Sequence, residues 1–301
     1  MAQLSAPRSA QRVLVTFTDQ RMKVARRRLC QQAKAMEVYT QIVGASPRDL
    51  NPSFRQRFKE YLTPEHRGFG YFCWKPQIVL QTLERLEEGD LVHWIDSGCH
   101  LNPAGRQRLE DFFAMAEEAP SGIQGFACLP PNGSLVYRDR QFPDQGESKW
   151  TKGDLLDRLS VRDQPEITAT QQLGATTFFV RKCPASMDFM RHWIKVFSDD
   201  FAMIDDRPSR APNLEGFIEH RHDQSIYSIL GKLLPISTIS VFEFWFPRAD
   251  DCWMPDWEMV KDSPIQIRRD RGLKGESRLK IASLKARGRV KRLLSGWWPG
   301  N

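Results

Sequence analysis

Read for its hydrophobic rhythm, the chain opens with "VLVTFT" at 13–18, a compact β-branched run that predicts a buried first strand of an α/β sheet. Thr16, Thr18 and Asp19 stand at its end, where such sheets bind ligands. Residues 22–36 then set Val24, Leu29, Ala33 and Met36 among many Arg and Lys, the spacing of an amphipathic helix laid over that sheet. "VYTQIVG" at 38–44 predicts the second strand of a β-α-β opening. Pro76 suits a first helical turn, where its missing N–H costs nothing, and Ile78, Val79, Leu80, Leu83 and Leu86 recur at helical spacing before Gly89. "DLVHWID" at 90–96 is the next strand; 101–116 and 185–197 read as helices, "IQGFACL" at 123–129 and "TTFFVRK" at 176–182 as strands. A short helix is expected over 223–233, with Ile226, Ile229, Leu230 and Leu233 on its apolar face. Two irregular stretches interrupt the pattern. Residues 130–162 are polar and turn-rich, as expected of an active-site loop region with short elements, and the Pro-rich 205–222 would hold its polar residues over a cleft.

Alternating strand-like and helix-like segments place the chain in the α/β class. With 301 residues, 41% of them apolar, and nine Trp, it can fill the core of one large domain or two small ones. The formal charge of +7 suggests a polyanion partner until it is located. Residues 266–301 hold eleven Lys or Arg against Asp270 and Glu276, a net +9, which leaves −2 for residues 1–265. The expected organisation is therefore a domain over 1–265 and a basic amphipathic tail over 266–301, with no nucleic acid among the partners of the body. Six widely spaced cysteines without a CxxC pair argue against a zinc ribbon or a dense disulfide framework and fit a reducing cytoplasm. No apolar signal region precedes the first strand and no eighteen apolar residues run together, so neither secretion nor membrane spanning is expected.

Three clusters could carry chemistry. The first is "WIDSGC" at 94–99, where a strand stops on Asp96. At the carboxyl end of an open sheet such a carboxylate can hold Mg²⁺ or Mn²⁺, with Ser97 and Gly98 letting the backbone approach a bulky ligand. It can equally cap the helix expected near Pro103 or close a turn. Cys99 reads as a small packed residue, since no His–Asp pair accompanies it. The second, "EHRHDQS" at 219–225, offers His220 and His222 as ligands or acids, Arg221 as a phosphate clamp and Asp223 as base or positioner; the plainer reading is an Asp223 N-cap in a solvated loop. The third, "HRGFGYFCWKP" at 66–76, sets Arg67 and Lys75 among glycines and aromatic residues, a setting for a diphosphate or simply part of the core.

In their order, "VTFTD" (15–19), "RGFGYFCWKPQIVLQTL" (67–83), "GDLVHWIDSGC" (89–99), "WTKGDLLDRL" (150–159), "GATTFFVRK" (174–182), "MIDDRPS" (203–209) and "EHRHDQSIYSIL" (219–230) resemble a family of bacterial glycosyltransferases of capsule and surface polysaccharide synthesis. The resemblance runs from about residue 13 to 233. It implies a GT-A fold: a Rossmann-like α/β domain with a mixed, mostly parallel sheet flanked by helices. It also implies a nucleotide-diphosphate sugar as donor and a glycan or lipid-linked acceptor. Asp96 would take the first acidic position of the family's Asp-x-Asp metal motif, but position 98 is Gly98. Mn²⁺ or Mg²⁺ would then need Asp96 with His220 or His222, or Arg67 and Lys75 would neutralise the diphosphate instead. Asp223, His222 and Asp96 are the catalytic candidates. Thr16, Thr18, Arg67, Lys75, Trp74, Ser97, Gly174 and Gln224 form the candidate donor-binding set.

Other functions compete with this reading. A hydrolase or nucleotidyltransferase would be announced by P-loop, GxSxG or HExxH signatures, and the chain has none. A catalytically degenerate carbohydrate-binding or scaffold protein on the same fold is favoured by Gly98, while the joint presence of Lys75, Asp96, His222 and Asp223 argues against it. The tail, with Lys280 to Lys291 and the Trp297–Trp298 pair, reads either as a solvated basic end or as peripheral contact with an anionic inner membrane through residues 280–298. The expected location is the cytoplasm, at the inner face of that membrane if the second reading holds.

Overall fold

A computed structural model describes residues 8–250 and 254–270. Its centre is a six-stranded sheet made of β1 (Arg12–Phe17), β2 (Gln41–Ala45), β3 (Leu91–Ile95), β4 (Ile123–Ala127), β5 (Thr177–Arg181) and β6 (Ser237–Ser240). The strand order is β2-β1-β3-β5-β4-β6. β1 runs parallel to β2 and β3, and β4 parallel to β6, whereas β5 is antiparallel to both its neighbours. The expected mixed, mostly parallel sheet flanked by helices is what forms.

Strand composition explains the three layers. All five residues of β3 are buried, so both of its faces must be covered. Val13, Val15, Phe17, Val92, Trp94, Phe178 and Val180 pack against α2 (Trp74–Leu83), α4 (Pro184–Asp199) and α5 (Asp223–Leu233). Leu14, Leu91, Ile95, Phe126 and Phe179 face the opposite way, onto α1 (Lys23–Met36) and α3 (Arg106–Glu118). His93 sits in the central strand because both its ring nitrogens find partners, the Tyr39 hydroxyl at 2.7 Å and Thr177 Oγ1 at 2.8 Å. Burial drives its pKa down to about 3, so it is a neutral core residue.

The structure departs from the pattern-based reading in several places. In α1 the buried residues are Ala25, Leu29, Ala33 and Met36, and Val24 is 51% exposed. β2 starts at Gln41, because the left-handed Glu37 (φ 54°) ends α1 and the chain needs 38–40 to turn. α2 ends at Leu83 and is buried at every position but Gln77, so it is a core helix and not an amphipathic one. His100–Leu101 does not open a helix; it pairs antiparallel with Ile265–Gln266, and α3 begins at Arg106. β6, "STIS", is too short and polar to announce itself as the edge strand it is. The 130–162 region contains the short hairpin Val136–Tyr137 with Arg140–Gln141 and the helices Glu147–Trp150 and Gly153–Arg158.

The chain after β6 returns to the body. A Cβ on Gly105 would lie 2.2 Å from the Pro264 nitrogen, so only glycine lets this segment dock there. Packing continues through Asp270, whose N–H donates to Gly98 O at 2.9 Å. Residues 271–301, which include the 280–298 stretch considered for membrane contact, lie outside the described residues. Among those described, no helix is long and apolar enough to cross a membrane.

Candidate active site

From β1 the chain adds β2 on one side and β3 on the other, so the strand order reverses between β1 and β3. The crevice at the carboxyl ends of such strands is where open α/β sheets bind ligands. Asp96 directly follows β3, and its N–H donates to Thr176 O at 2.9 Å just before β5. Lys75 comes from the first turn of α2 and Asp223 from the first turn of α5. The three converge. Lys75 Nζ lies 2.6 Å from Asp223 Oδ2 and 3.5 Å from Asp96 Oδ1, and donates to Ala175 O at 2.9 Å.

Strained backbone delivers two of these side chains. Residues 68–72 all have positive φ, including the non-glycine residues Phe69 (59°), Tyr71 (54°) and Phe72 (63°). Left-handed backbone costs a residue with a Cβ on the order of 1–3 kcal/mol and survives where packing enforces it. Here the Phe72 ring folds over Gly68, where a Cβ would come within 2.5 Å of it. Trp74 fastens the turn from the other side, stacking on Phe17 at 4.0 Å while its Nε1–H donates to Gly68 O at 2.9 Å. Lys75 follows at once. His222, at φ 53°, likewise precedes Asp223, and its Nδ1 bonds Ile204 O at 2.8 Å.

Electrostatics follow from this burial. Desolvation pushes the Asp223 carboxyl up to about 6, Lys75 opposing the rise and the Asp96 charge adding to it. Asp96 is raised as well, by burial partly offset by Lys75. Burial alone would lower the Lys75 ammonium, but its two carboxylates more than reverse this and its pKa is raised.

Above the triad opens a cleft of about 440 Å³ with a polar floor and an aromatic rim that includes Phe142, Trp150, Phe242, Phe244 and Trp245. Arg67, Arg221 and Arg269 also line it. Arg67 pairs with Glu219 at 2.7 Å. The Arg221 guanidinium lies 3.7 Å over the Trp150 ring, and burial brings its pKa down to about 10. Arg269 lies 4.6 Å over Trp245. Gln172, buried behind the floor, accepts from Gln224 Nε2 at 2.9 Å and so holds that side chain toward the cleft.

Of the residues singled out in the sequence, Arg67, Lys75, Asp96, Gly174, His222, Asp223 and Gln224 line this cleft. Thr16, Thr18 and Ser97 do not line it; their side chains are buried in the body. Trp74 is a core residue, and its stacking on Phe17 is the reason. His220 also lies off the wall: its Nδ1 accepts from Lys152 N at 3.4 Å and its Nε2 bonds Met203 O at 3.1 Å, so neither nitrogen is available to a metal. Cys99 is buried and its thiol is raised by that burial. Sequence reasoning did not select Trp150, Trp245 or Arg269. Arg269 was hidden in a run of tail charge, Trp150 in a polar turn-rich stretch and Trp245 in the aromatic run "FEFWF", and neither local pattern marks a cleft wall.

The donor set bears on a divalent cation. Between Asp96 and Asp223, where a metal shared by two carboxylates would sit, the structure holds the Lys75 ammonium. Among the described residues, no group of three or more His, Cys, Asp or Glu side chains could hold a metal ion. These residues do not fit a protein-built Mn²⁺ or Mg²⁺ site.

No family model and no curated protein matches the sequence. Among solved structures, the chain is similar to a glycosyltransferase involved in the glycosylation of the major capsid of PBCV-1, at 14% identity and a TM-score of 0.44, over 88% of this chain and 98% of that one. It is also similar to mouse xyloside xylosyltransferase 1 in its apo form, at 9% identity and a TM-score of 0.45, over 89% of this chain and 100% of that one.

Proposed function

We propose that this chain is a GT-A-type glycosyltransferase that moves a sugar from a nucleotide-diphosphate sugar to a hydroxyl of a glycan or lipid-linked acceptor in surface polysaccharide synthesis. The observation that carries the reading is the Asp96–Lys75–Asp223 triad, set at the carboxyl ends of the sheet under a cleft with an aromatic rim. A carboxyl held at about 6 is ionised at neutral pH, yet more basic than an ordinary aspartate. In an inverting reaction, the acceptor oxygen attacks the anomeric carbon, the bond from that carbon to the diphosphate breaks, and the diphosphate leaves with the electron pair. Asp223 takes the acceptor proton, with Asp96 beside it and Lys75 orienting both. In a retaining reaction the same carboxylate would position the sugar. Phe242 and Trp245, partly exposed on the cleft wall, offer aromatic surface against which a sugar ring can pack.

The deciding experiment is a donor panel: binding and slow hydrolysis of UDP-, GDP-, CDP-, dTDP- and ADP-sugars by the purified protein, in EDTA and in Mn²⁺. At least one donor should bind and be hydrolysed, and Asp223→Asn should lose turnover while keeping its far-UV spectrum. A protein that neither binds nor hydrolyses any of them is not this enzyme. Donor binding in which Asp223→Asn and Asp96→Asn change nothing identifies the catalytically degenerate alternative. Attachment to an anionic cytoplasmic membrane face through residues 280–298 belongs to the same proposal. Liposome flotation tests it by comparing the full chain with one ending at residue 271, and equal binding by the two removes that part.

A further inference from the structure

The turn that follows Asp96 has a second occupant. The segment beyond Ile265–Gln266 crosses the turn directly over Gly98, where a Cβ would stand 3.4 Å from Arg269 Cα and 3.6 Å from its carbonyl carbon. Asp270 N–H donates to Gly98 O at 2.9 Å. Arg28, from α1, clasps both strands of this crossing. Its Nη2 donates to Ser97 O at 2.8 Å and Cys99 O at 2.9 Å, and its Nη1 lies 2.9 Å from Asp270 Oδ2. Within the clasp Arg269 is held at φ 52°, a backbone that a residue with a Cβ adopts only where its surroundings enforce it. The enforced turn puts the guanidinium on the cleft wall, over Trp245.

We infer that Arg269, carried across Gly98, binds the diphosphate of the donor in place of a divalent cation, so that donor binding needs no metal. This rests on the nucleotide-sugar reading of the cleft. By the resemblance drawn from the sequence, Gly98 stands where a second metal-binding carboxylate would be, and a Cβ there would lie in van der Waals contact with the backbone of residue 269. The segment that crosses this carboxylate-free position brings a cation to the cleft wall. The Lys75 charge is already matched by Asp96 and Asp223, so the floor of the cleft cannot by itself hold two phosphates. Arg269 is near enough to Arg221 for the two positive charges to oppose one another, a repulsion that an anion bound between them relieves. A guanidinium also presents two parallel N–H groups to phosphate oxygens, a geometry that favours bidentate binding.

The test is calorimetric titration of the full chain with UDP, GDP, CDP, dTDP and ADP, in EDTA and in Mn²⁺, alongside the matching nucleosides. For the nucleoside diphosphate that binds, affinity in EDTA should lie within about twofold of that in Mn²⁺. Arg269→Gln should weaken it by about tenfold or more, the scale of a lost hydrogen bond to a charged group, while leaving the nucleoside unchanged. Arg269→Lys, which keeps the charge but not the fork, should recover part of the loss, and it serves as the folded control if the glutamine variant melts early. Binding that appears only with Mn²⁺, or an Arg269→Gln affinity equal to wild type, overturns the inference and leaves the transferase reading standing. If no nucleoside diphosphate binds under either condition, both fall.

Discussion

Replacing Asp223 by asparagine keeps the shape of the triad but removes its titration, and the consequence for stability can be worked from the structure. The folded carboxyl sits at about 6 against an ordinary 3.8, a difference of roughly two units, or about 3 kcal/mol. The folded-state value is the higher one, so the folded protein holds this proton more tightly than the unfolded chain. The associated stability is complete below pH 3.8 and is lost as pH rises through 6. The asparagine variant has no such proton. Chemical denaturation of the two proteins at pH 4, 5, 6, 7 and 8 should therefore show the variant gaining on the wild type by about 2.4 kcal/mol from pH 4 to pH 8, with most of the gain before pH 6. In melting temperature this is roughly 5–10 °C for a domain of this size. The constant offset between the two curves reports the lost contact with Lys75, which stays charged throughout. A difference that is flat from pH 4 to 8 would refute the assignment of a raised, titrating Asp223. The rate of donor hydrolysis should fall on the acid side with a midpoint near pH 6, because the carboxylate is the working form.

Lys75→Met leaves two carboxylates facing each other without their cation and should cost about 3–5 kcal/mol at neutral pH. The cost should shrink at pH 5, where Asp223 takes a proton; a loss equal at both pH values would contradict the triad. Gly105→Ala puts a Cβ 2.2 Å from the Pro264 nitrogen. It should destabilise the protein by about 1–3 kcal/mol and weaken nucleotide binding by loosening the segment that carries Arg269, whereas wild-type stability would show that this segment is not docked there. Glu147 is fully buried and accepts from Ser228, Lys232 (2.7 Å), Thr151 (2.7 Å) and Gln172 (3.0 Å). Glu147→Gln should cost about 3 kcal/mol by leaving Lys232 without its anion, measured by urea unfolding; a change below about 1 kcal/mol would refute the pairing.

The local elements were legible because side-chain period is a local property. The β-branched run at 13–18, the apolar spacing of 185–197 and the stop at Asp96 all mark real elements within a few residues, and the α5 boundaries at Asp223 and Leu233 coincide with those expected. Residue type within a segment also identified Lys75, Asp96, Asp223, His222 and Arg67 as chemically unusual, and they do line one cleft. Which face a residue takes was less legible. Val24 and Ala25 exchange roles because one helical position decides the matter, and Trp74, Thr16 and Thr18 are drawn inward by packing that adjacent residues do not reveal.

Tertiary structure alone decided the charges. Whether Asp223 titrates near 3.8 or 6 depends on how much water the surrounding helices exclude, and the partner of Lys75 depends on which helix starts meet. The glycine at position 98 is the sharpest case. In the sequence it is, by resemblance, a missing carboxylate; in the structure it is where the backbone of Arg269 crosses in close contact, between segments far apart in the chain. Sequence patterns report what each segment can do with its own neighbours, whereas close approach and desolvation belong to the pairs that folding brings together.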